Sequence, residues 1–297
     1  MSSTYPLSFL AQHLGGVWCR TQGDPSIKGV SISSTEIRPG FLFAAVEGVK
    51  LDGHAFIDDA FGRGAAAALV SRAQGLCGRP GIVVGDVRSA VSRLAALFNG
   101  NPSREMVVCG ITGTNGKTTI HWLLFHLLNK LGMPCMRIGT LGIEAPGVFQ
   151  ESSLTTPDGL VLHDSLRWGR EGGMRAAVME VSSHGLDQRR VEDISFDIGI
   201  FTNLTRDHLD YHSSFEAYFA AKARLFELLA AHGKGVKAAV INIDNDAGRR
   251  LAAGIKAWGL ADFTYGSSAK ATVKWSEFSQ SLRGSRFTLN YSGRRYH

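Results

Sequence analysis

A few residues of this chain have the types and spacing to handle a phosphorylated ligand. The densest group is the run GITGTNGKTT from Gly110 to Thr119. Gly113 and Gly116 permit a tight backbone turn that brings N–H groups close to an anion. Lys117 sets a cation beside β- and γ-phosphates, and Thr118 offers a hydroxyl to Mg²⁺. A helix beginning there adds the positive end of its dipole. The spacing is compressed. Ile111 stands where G-x-x-x-x-G-K-[ST] expects its first glycine, and the run fits G-x-x-G-K-T from Gly113 to Thr118. The competing reading, a glycine-rich turn that binds nothing, leaves Lys-Thr-Thr at a helix mouth without a structural reason.

Three further residues join this group. Glu180 ends an apolar run from Met174 to Val181. A carboxylate at a strand end beside a phosphate loop can hold a Mg²⁺ that also touches phosphate oxygens, or it can simply cap a turn. His208 lies between Asp207 and Asp210. A lone histidine is more often structural, but flanking carboxylates favour a cation-holding loop. Lys222 is three residues from Phe219 and Leu225 and four from Tyr218 and Phe226, in the middle of an apolar helical stripe. A lysine there must snorkel, pair with an acid, or lose its charge. The neutral amine is a nucleophile toward carbon dioxide, and a carbamate would turn this cation into a Mg²⁺-binding carboxylate.

The elements that position these groups alternate in an α/β pattern. Strand-like runs are expected at Met106–Cys109, Met133–Ile138, Met174–Val181, Phe196–Thr202, Lys237–Ile243 and Ser285–Tyr291. Helices are expected at His121–Leu128, as a buried helix, and at Phe215–Leu229. Ligands of open α/β sheets bind beyond the carboxyl ends of strands, and the loop, Glu180, Asn203 onward and Asp244 all fall there. The first hundred residues read as a smaller α/β unit. Strands are expected at Gly29–Ile32, Phe41–Val46, Ala65–Val70 and Gly81–Val84, with helices at Ala55–Gly62 and Val87–Phe98, the latter capped by Asp86. The cluster Asn99–Ser103 breaks the pattern. The expected domains are therefore 1–100 and 101–297, the second with a mostly parallel sheet.

With 297 residues, 44% hydrophobic and 20% charged, the chain fits one large or two ordinary globular domains. No apolar run spans a bilayer and no signal peptide is evident, so a cytoplasmic protein without a membrane partner is expected. Cys19, Cys77, Cys109 and Cys135 form no C-x-x-C pair, which argues against a zinc site. The net charge of +6 suits small polyanions. No basic run with interleaved aromatics points to nucleic acid.

Taken in order, several segments resemble the Mur ligases of peptidoglycan synthesis: 110–119, Leu154–Asp158, Met179–Leu186, Thr202–His212 and Tyr218–Phe226. The likeness covers nearly the whole chain and is greatest to the branch that adds the third residue of the stem peptide. The resemblance implies that Gly113, Thr114, Asn115, Gly116, Lys117, Thr118 and Thr119 bind ATP, with Asn242 near the nucleotide. It implies two Mg²⁺ ions held at Thr118, Glu180 and His208, with a carbamylated Lys222 helping to fix the second. It implies UDP-muramoyl-peptide contacts at Thr155, Thr156, Ser182, Gln188 and Arg190. In a UDP-binding N-terminal domain, Ser34, Val49, Lys50 and Leu51 become uridine-side contacts. Two departures stand out. The chain has Ser33-Ser34-Thr35 where the family shows Asp-Ser-Arg, and a third, amino-acid-binding domain is expected to be missing after His297.

The implied reaction is ATP-driven amide formation through an acyl phosphate, catalysed by a monomeric enzyme. It would join an amino acid, meso-diaminopimelate by family frequency, to UDP-N-acetylmuramoyl-L-alanyl-D-glutamate. Lys117, Glu180, His208 and Lys222 would be its catalytic groups. Two alternatives remain: a ligase like folylpolyglutamate synthetase, and a non-catalytic fragment that binds nucleotide and UDP-sugar without ligating.

Overall fold

The computed structural model describes residues 4–19, 23–48, 51–208, 210–232, 234–235 and 237–296. It divides into two compact units. The first holds residues 1–102 together with Asp158–Arg167 and Gln188–Asp193, so those two later segments do not belong with the residues around them in sequence. The second holds Ser103–Pro157, Trp168–Asp187 and 194–297.

The first unit is built on a five-stranded sheet in the order Val17–Cys19, Gly81–Val83, Ala67–Val70, Phe41–Ala44, Gly29–Ser31. All its pairings are parallel except that of Val17–Cys19, an antiparallel edge. Alternation along the strands explains the layering. Leu42, Ala44 and Leu69 face one apolar cluster, with Leu7, Leu10, Val91 and Leu94 of the helices Leu7–Leu14 and Val87–Phe98. Phe43, Ala45, Ala68 and Val70 face the other, with Ile57 and Ala60 of the helix Ile57–Gly62. Asp86 caps Val87–Phe98 by accepting from Ser89 N at 3.1 Å. The helix expected over Ala55–Gly62 begins as a 3-10 turn, Gly53–Phe56, because Asp52 caps it early by accepting from His54 N. The later segments are tied in by Asp193 N donating to Ser92 Oγ at 3.4 Å and by Leu160, which packs on the first cluster.

The second unit is an eleven-stranded sheet. Its central strands run parallel in the order Cys135–Gly139, Ala176–Glu180, Val107–Thr112, Ile198–Phe201, Ala238–Asn242, Ala261–Gly266, Val273–Ser281. Antiparallel strands extend both edges: Gly142–Ala145 and Val148–Gln150 on one side, Gly284–Tyr291 and Arg294–Tyr296 on the other. Sequence periodicity did not register the hairpin after Gly142, or the strands Ala261–Gly266 and Val273–Ser281. Val107–Thr112 has Ala176–Glu180 on one side and Ile198–Phe201 on the other, so the chain crosses over it. The carboxyl end of Val107–Thr112 is thus the switch point where open α/β sheets bind ligands. Register places the polar ends side by side: Glu180 opposite Ile111, and Phe201 opposite Thr112 and Ile241.

The helix Lys117–Lys130 departs from the buried helix expected at His121–Leu128. It buries only His121 and Phe125 and leaves Trp122 45%, Leu123 54% and Leu127 51% exposed. A helix lying on one sheet face can bury one stripe, here the i, i+4 pair His121 and Phe125, and the remaining apolar residues face out. Phe215–His232 matches the apolar stripe expected over Phe215, Tyr218, Phe219, Leu225, Phe226 and Leu229 except at its first residue: Phe215 is exposed at the helix start, while the others and Lys222 are buried. Among the described residues, no helix is long and apolar enough to cross a membrane.

In the first unit, His163 is fully buried and neither ring nitrogen has a hydrogen-bond partner among the described residues. Burial pushes its imidazole down from 6.5 to about 4. The unfolded chain therefore takes up this proton first as pH falls. The contribution to stability is intact above the unfolded value and is lost as pH drops toward the folded one. The effect is on the order of 3 kcal/mol for a shift of this size. His163→Leu is expected to flatten the acid side of the stability profile, measured by urea unfolding at neutral and mildly acidic pH. An unchanged acid slope would contradict it.

Candidate functional site

The loop after Val107–Thr112 turns through two glycines with left-handed backbone, Gly113 at φ +149° and Gly116 at φ +84°. Gly113 is required on steric grounds as well, since a Cβ there would lie 1.9 Å from Thr202 Oγ1. The loop is clamped by the segment that follows Ile198–Phe201. Thr114 N donates to Asn203 O at 2.9 Å, and Asn115 N donates to Asn203 Oδ1 at 3.0 Å. Thr202 Oγ1 donates to Asn115 O at 2.6 Å. Thr114 Oγ1 accepts from Thr205 N at 3.0 Å and pairs with the Tyr218 hydroxyl at 3.1 Å. Gly116 caps the helix Lys117–Lys130, so Lys117, Thr118 and Thr119 form its first turn. An anion held there would meet free N–H groups and the helix dipole.

Two lysines converge on one loop carbonyl. Lys117 Nζ donates to Gly113 O at 2.9 Å and to Thr114 O at 3.0 Å, and Lys222 Nζ donates to the same Gly113 O at 2.8 Å. Lys222 is 1% exposed, and its amine lies 4.5 Å from the Tyr218 ring centroid. Burial, then the nearby Lys117 charge, push its amine down to about 7, with Asp207 opposing. Burial also lowers Lys117, against Glu180 and Asp207. The amine of Lys222 is thus available as a nucleophile near neutral pH, which an ordinary surface lysine is not.

Glu180 ends the neighbouring strand and is fully buried. Its Oε2 accepts from Thr118 Oγ1 at 2.7 Å and Thr140 Oγ1 at 3.3 Å, and its Oε1 accepts from Thr140 N at 2.9 Å. Gly139 makes room for it, because a Cβ there would lie 2.4 Å from Oε1. His121, also fully buried, places Nδ1 3.6 Å from the same Oε1. Burial pushes its imidazole down to about 4; the Arg137 charge acts the same way and the Val178 backbone opposes. The Thr118 hydroxyl and Glu180 carboxylate form a hard oxygen pair suited to Mg²⁺.

His208 sits at φ +54°, a left-handed conformation uncommon for a non-glycine residue and frequent at functional sites. Its ring lies 5.0 Å from His184 and 6.1 Å from Tyr218, centroid to centroid. His208 is thus gathered with Lys222 around Tyr218, while Thr118 gathers with Glu180. Among the described residues, one group of three His, Cys, Asp or Glu side chains brings its ligand atoms within 4.8 Å of one another, Glu47, Asp52 and His54 in the first unit. There Arg72 already pairs with both Glu47 and Asp52.

The remaining expected residues divide between the units. Thr155 Oγ1 pairs with Thr140 Oγ1 at 3.0 Å, and Thr156 Oγ1 donates to Glu180 O at 2.9 Å and pairs with Ser182 Oγ at 3.0 Å. These three lie beside Glu180 in the second unit. Asn242 ends its strand two places from the loop strand and hydrogen-bonds Asp244 N and Tyr265 rather than the loop. Ser34, Leu51, Gln188 and Arg190 belong to the first unit. Ser34 is buried and hydrogen-bonds Asp59, holding that carboxyl below its ordinary value, while Leu51 is exposed. Arg190 Nη2 donates to Gln188 Oε1 at 2.6 Å. Val49 and Lys50 lie outside the described residues. Sequence reasoning placed Asn203 at a ligand-binding strand end without a role, and missed Thr140, Tyr218 and His121 as site groups. Thr140 carried a signal, as the first residue past a parallel strand. His121 was hidden in an apolar run.

Comparison with known proteins agrees with this architecture. Residues 111–297 match the Mur ligase middle domain, and residues 26–99 match the Mur ligase family catalytic domain. The UDP-N-acetylmuramoyl-L-alanyl-D-glutamate–2,6-diaminopimelate ligase of Pseudomonas putida is 45% identical over 255 residues, covering 84% of this chain and 49% of the relative. That of Geobacter sulfurreducens is 44% identical over 266 residues, covering 89% and 52%. A solved structure of a ligase with the same name superposes with a TM-score of 0.78 at 29% identity, covering 91% of this chain and 55% of that one. The chain spans about half the length of the curated relatives it matches. With a family model covering more than half of its residues and the ordered strand ends described above, this chain belongs to the Mur ligase family.

Proposed function

We propose that this chain provides the nucleotide-binding and UDP-muramoyl-peptide-binding parts of a cytoplasmic, monomeric ATP-dependent ligase. The ligase adds meso-diaminopimelate to UDP-N-acetylmuramoyl-L-alanyl-D-glutamate. The observation that carries this reading is the convergence of Lys117 and Lys222 on the Gly113 carbonyl, beside the Thr118–Glu180 pair. The names of the relatives support the choice of acceptor and amino acid.

In the proposed reaction the terminal carboxylate of the UDP-muramoyl-dipeptide attacks the γ-phosphorus of ATP. An acyl phosphate forms and ADP leaves. The amine of diaminopimelate then adds to the acyl carbon, and the tetrahedral intermediate expels phosphate as the ammonium proton is lost. Gly113 to Thr119 orient the triphosphate, with Asn242 near the nucleotide. Lys117 offsets charge on the transferred phosphoryl group. Thr155, Thr156, Ser182, Gln188 and Arg190 hold the peptide-bearing substrate, and Ser34 with 49–51 holds its uridine end. The hard donors Thr118 and Glu180 would fit one Mg²⁺, and His208 with the carbamate of Lys222 would help hold a second; when bound, the ions would neutralise phosphate oxygens. The low amine value of Lys222 supports carbamate formation, in which the neutral amine adds to carbon dioxide and releases one proton.

Binding separates this reading from a folate-type ligase. The 297-residue chain is expected to bind UDP-muramoyl-dipeptide and not folate in calorimetric titration; the reverse preference would end the assignment. In the full-length ligase, Lys222→Ala is expected to lower kcat at least about 100-fold, the scale of losing a charge-stabilising group. A short-chain carboxylic acid should restore part of it, and normal turnover by Lys222→Ala would remove the lysine's role. With ¹³C-bicarbonate, a carbamate resonance is expected to grow as pH rises through about 7, where the Lys222 amine loses its proton, and to be missing in Lys222→Ala. A signal that survives the substitution belongs to another amine.

A further inference from the structure

His121 has no part in the reaction as described, yet its place is unusual. It lies one helical turn beyond Lys117 and Thr118, on the single stripe that Lys117–Lys130 buries. Its ring is fully buried, and among the described residues neither Nδ1 nor Nε2 makes a well-formed hydrogen bond, although the Val178 backbone acts on it as an acceptor. Buried polar groups are normally paired, so an imidazole this poorly paired calls for an explanation. Its neighbour supplies one. Nδ1 is 3.6 Å from Glu180 Oε1, just beyond hydrogen-bond reach, and that carboxylate is itself fully buried.

The two carboxylate oxygens of Glu180 have different surroundings. Oε2 faces the hydroxyls of Thr118 and Thr140. Oε1 receives only the Thr140 N–H, at 2.9 Å, from its hydrogen-bond donors. It therefore has capacity for a second donor. An imidazole that is neutral near pH 7 carries one N–H, and either nitrogen can hold it.

We propose that His121 is a positioning residue for Glu180, donating its Nδ1–H to Oε1 and so holding Oε2 toward the Thr118 hydroxyl. The role rests on the proposed reading of Thr118 and Glu180 as Mg²⁺ ligands. It is the kind of outer contact that orients a ligating carboxylate and raises its affinity for the ion. The short approach needed, a few tenths of an ångström, is within ordinary side-chain adjustment. His121→Leu removes the donor, and His121→Asn returns one near the position of Nδ1.

The test is Mn²⁺ titration of the 297-residue chain with a non-hydrolysable ATP analogue, read by electron paramagnetic resonance, alongside side-chain ¹⁵N spectra of the unsubstituted protein. His121→Leu is expected to weaken Mn²⁺ binding about tenfold or more, the scale of losing such an outer contact. His121→Asn should recover most of that loss. The spectra should show His121 protonated on Nδ1. Unchanged Mn²⁺ affinity in His121→Leu would overturn the proposal, and so would a ring protonated on Nε2, a readout that needs no variant to fold. Glu180→Gln separates the two levels of argument. If it abolishes binding while His121→Leu does not, only the role of His121 fails. If the unsubstituted chain binds no Mn²⁺, or Glu180→Gln leaves binding unchanged, the Mg²⁺ reading fails and this role fails with it.

Discussion

One carbonyl oxygen, that of Gly113, organises the second unit. Lys117 and Lys222 both donate to it, at 2.9 and 2.8 Å. Two ammonium groups on one oxygen, with little water beside them, repel each other, and a single carbonyl dipole does not cancel two charges. The arrangement is therefore relieved when one amine gives up its proton. Lys222 is the more deeply buried and is the one driven to about 7. The carbonyl can receive both only because Gly113 adopts a backbone that no β-carbon would allow against Thr202. A steric fact about one glycine thus sets the chemistry of a lysine more than a hundred residues away in sequence.

The parallel sheet makes the rest of the site follow. Parallel strands put all their carboxyl ends on one edge, and the register aligns Glu180, Thr112 and Phe201 there. Buried charge in such a place must be paired or hydrogen-bonded. Glu180 meets this need with donors from Thr118 and Thr140, and Gly139 leaves the space it occupies. Tyr218 joins the two halves: its hydroxyl reaches Thr114 of the loop, and its ring lies under the amine of Lys222. A single aromatic residue is therefore in contact with both the anion-binding turn and the lysine.

The first unit applies the same construction to a different end. Its parallel strands also finish in a polar group, where Ser71 Oγ and Arg72 both donate to Glu47, and His54 joins Asp52 to Ser71. The cation that this acidic cluster would attract is already supplied by Arg72. The network thus stiffens the turns on either side of 49–51, the segment proposed for uridine. The central strands of the first unit are buried on both faces, their side chains alternating between two apolar layers.

Local physics was legible in the linear chain wherever one residue type had one structural solution. The Gly113–Thr118 turn, the Asp86 cap, the core strands and the lysine within the apolar stripe of Phe215–His232 could all be read this way, because glycine conformation, capping and helical period act over a few residues. The exposed outer face of Lys117–Lys130 could not, since an all-apolar helix looks the same in sequence whether one face or two are covered. The hairpin after Gly142 and the strand Val273–Ser281 escaped notice because their half-exposed residues have weak apolar alternation, whereas Ser285–Tyr291 was legible. Thr140, Asn203 and His121 come together with loop and carboxylate only through strand register and the crossover about Val107–Thr112. Sequence alone determined which groups could do chemistry; tertiary structure decided which meet, because hydrogen bonds and buried charge depend on distances that long-range pairing sets.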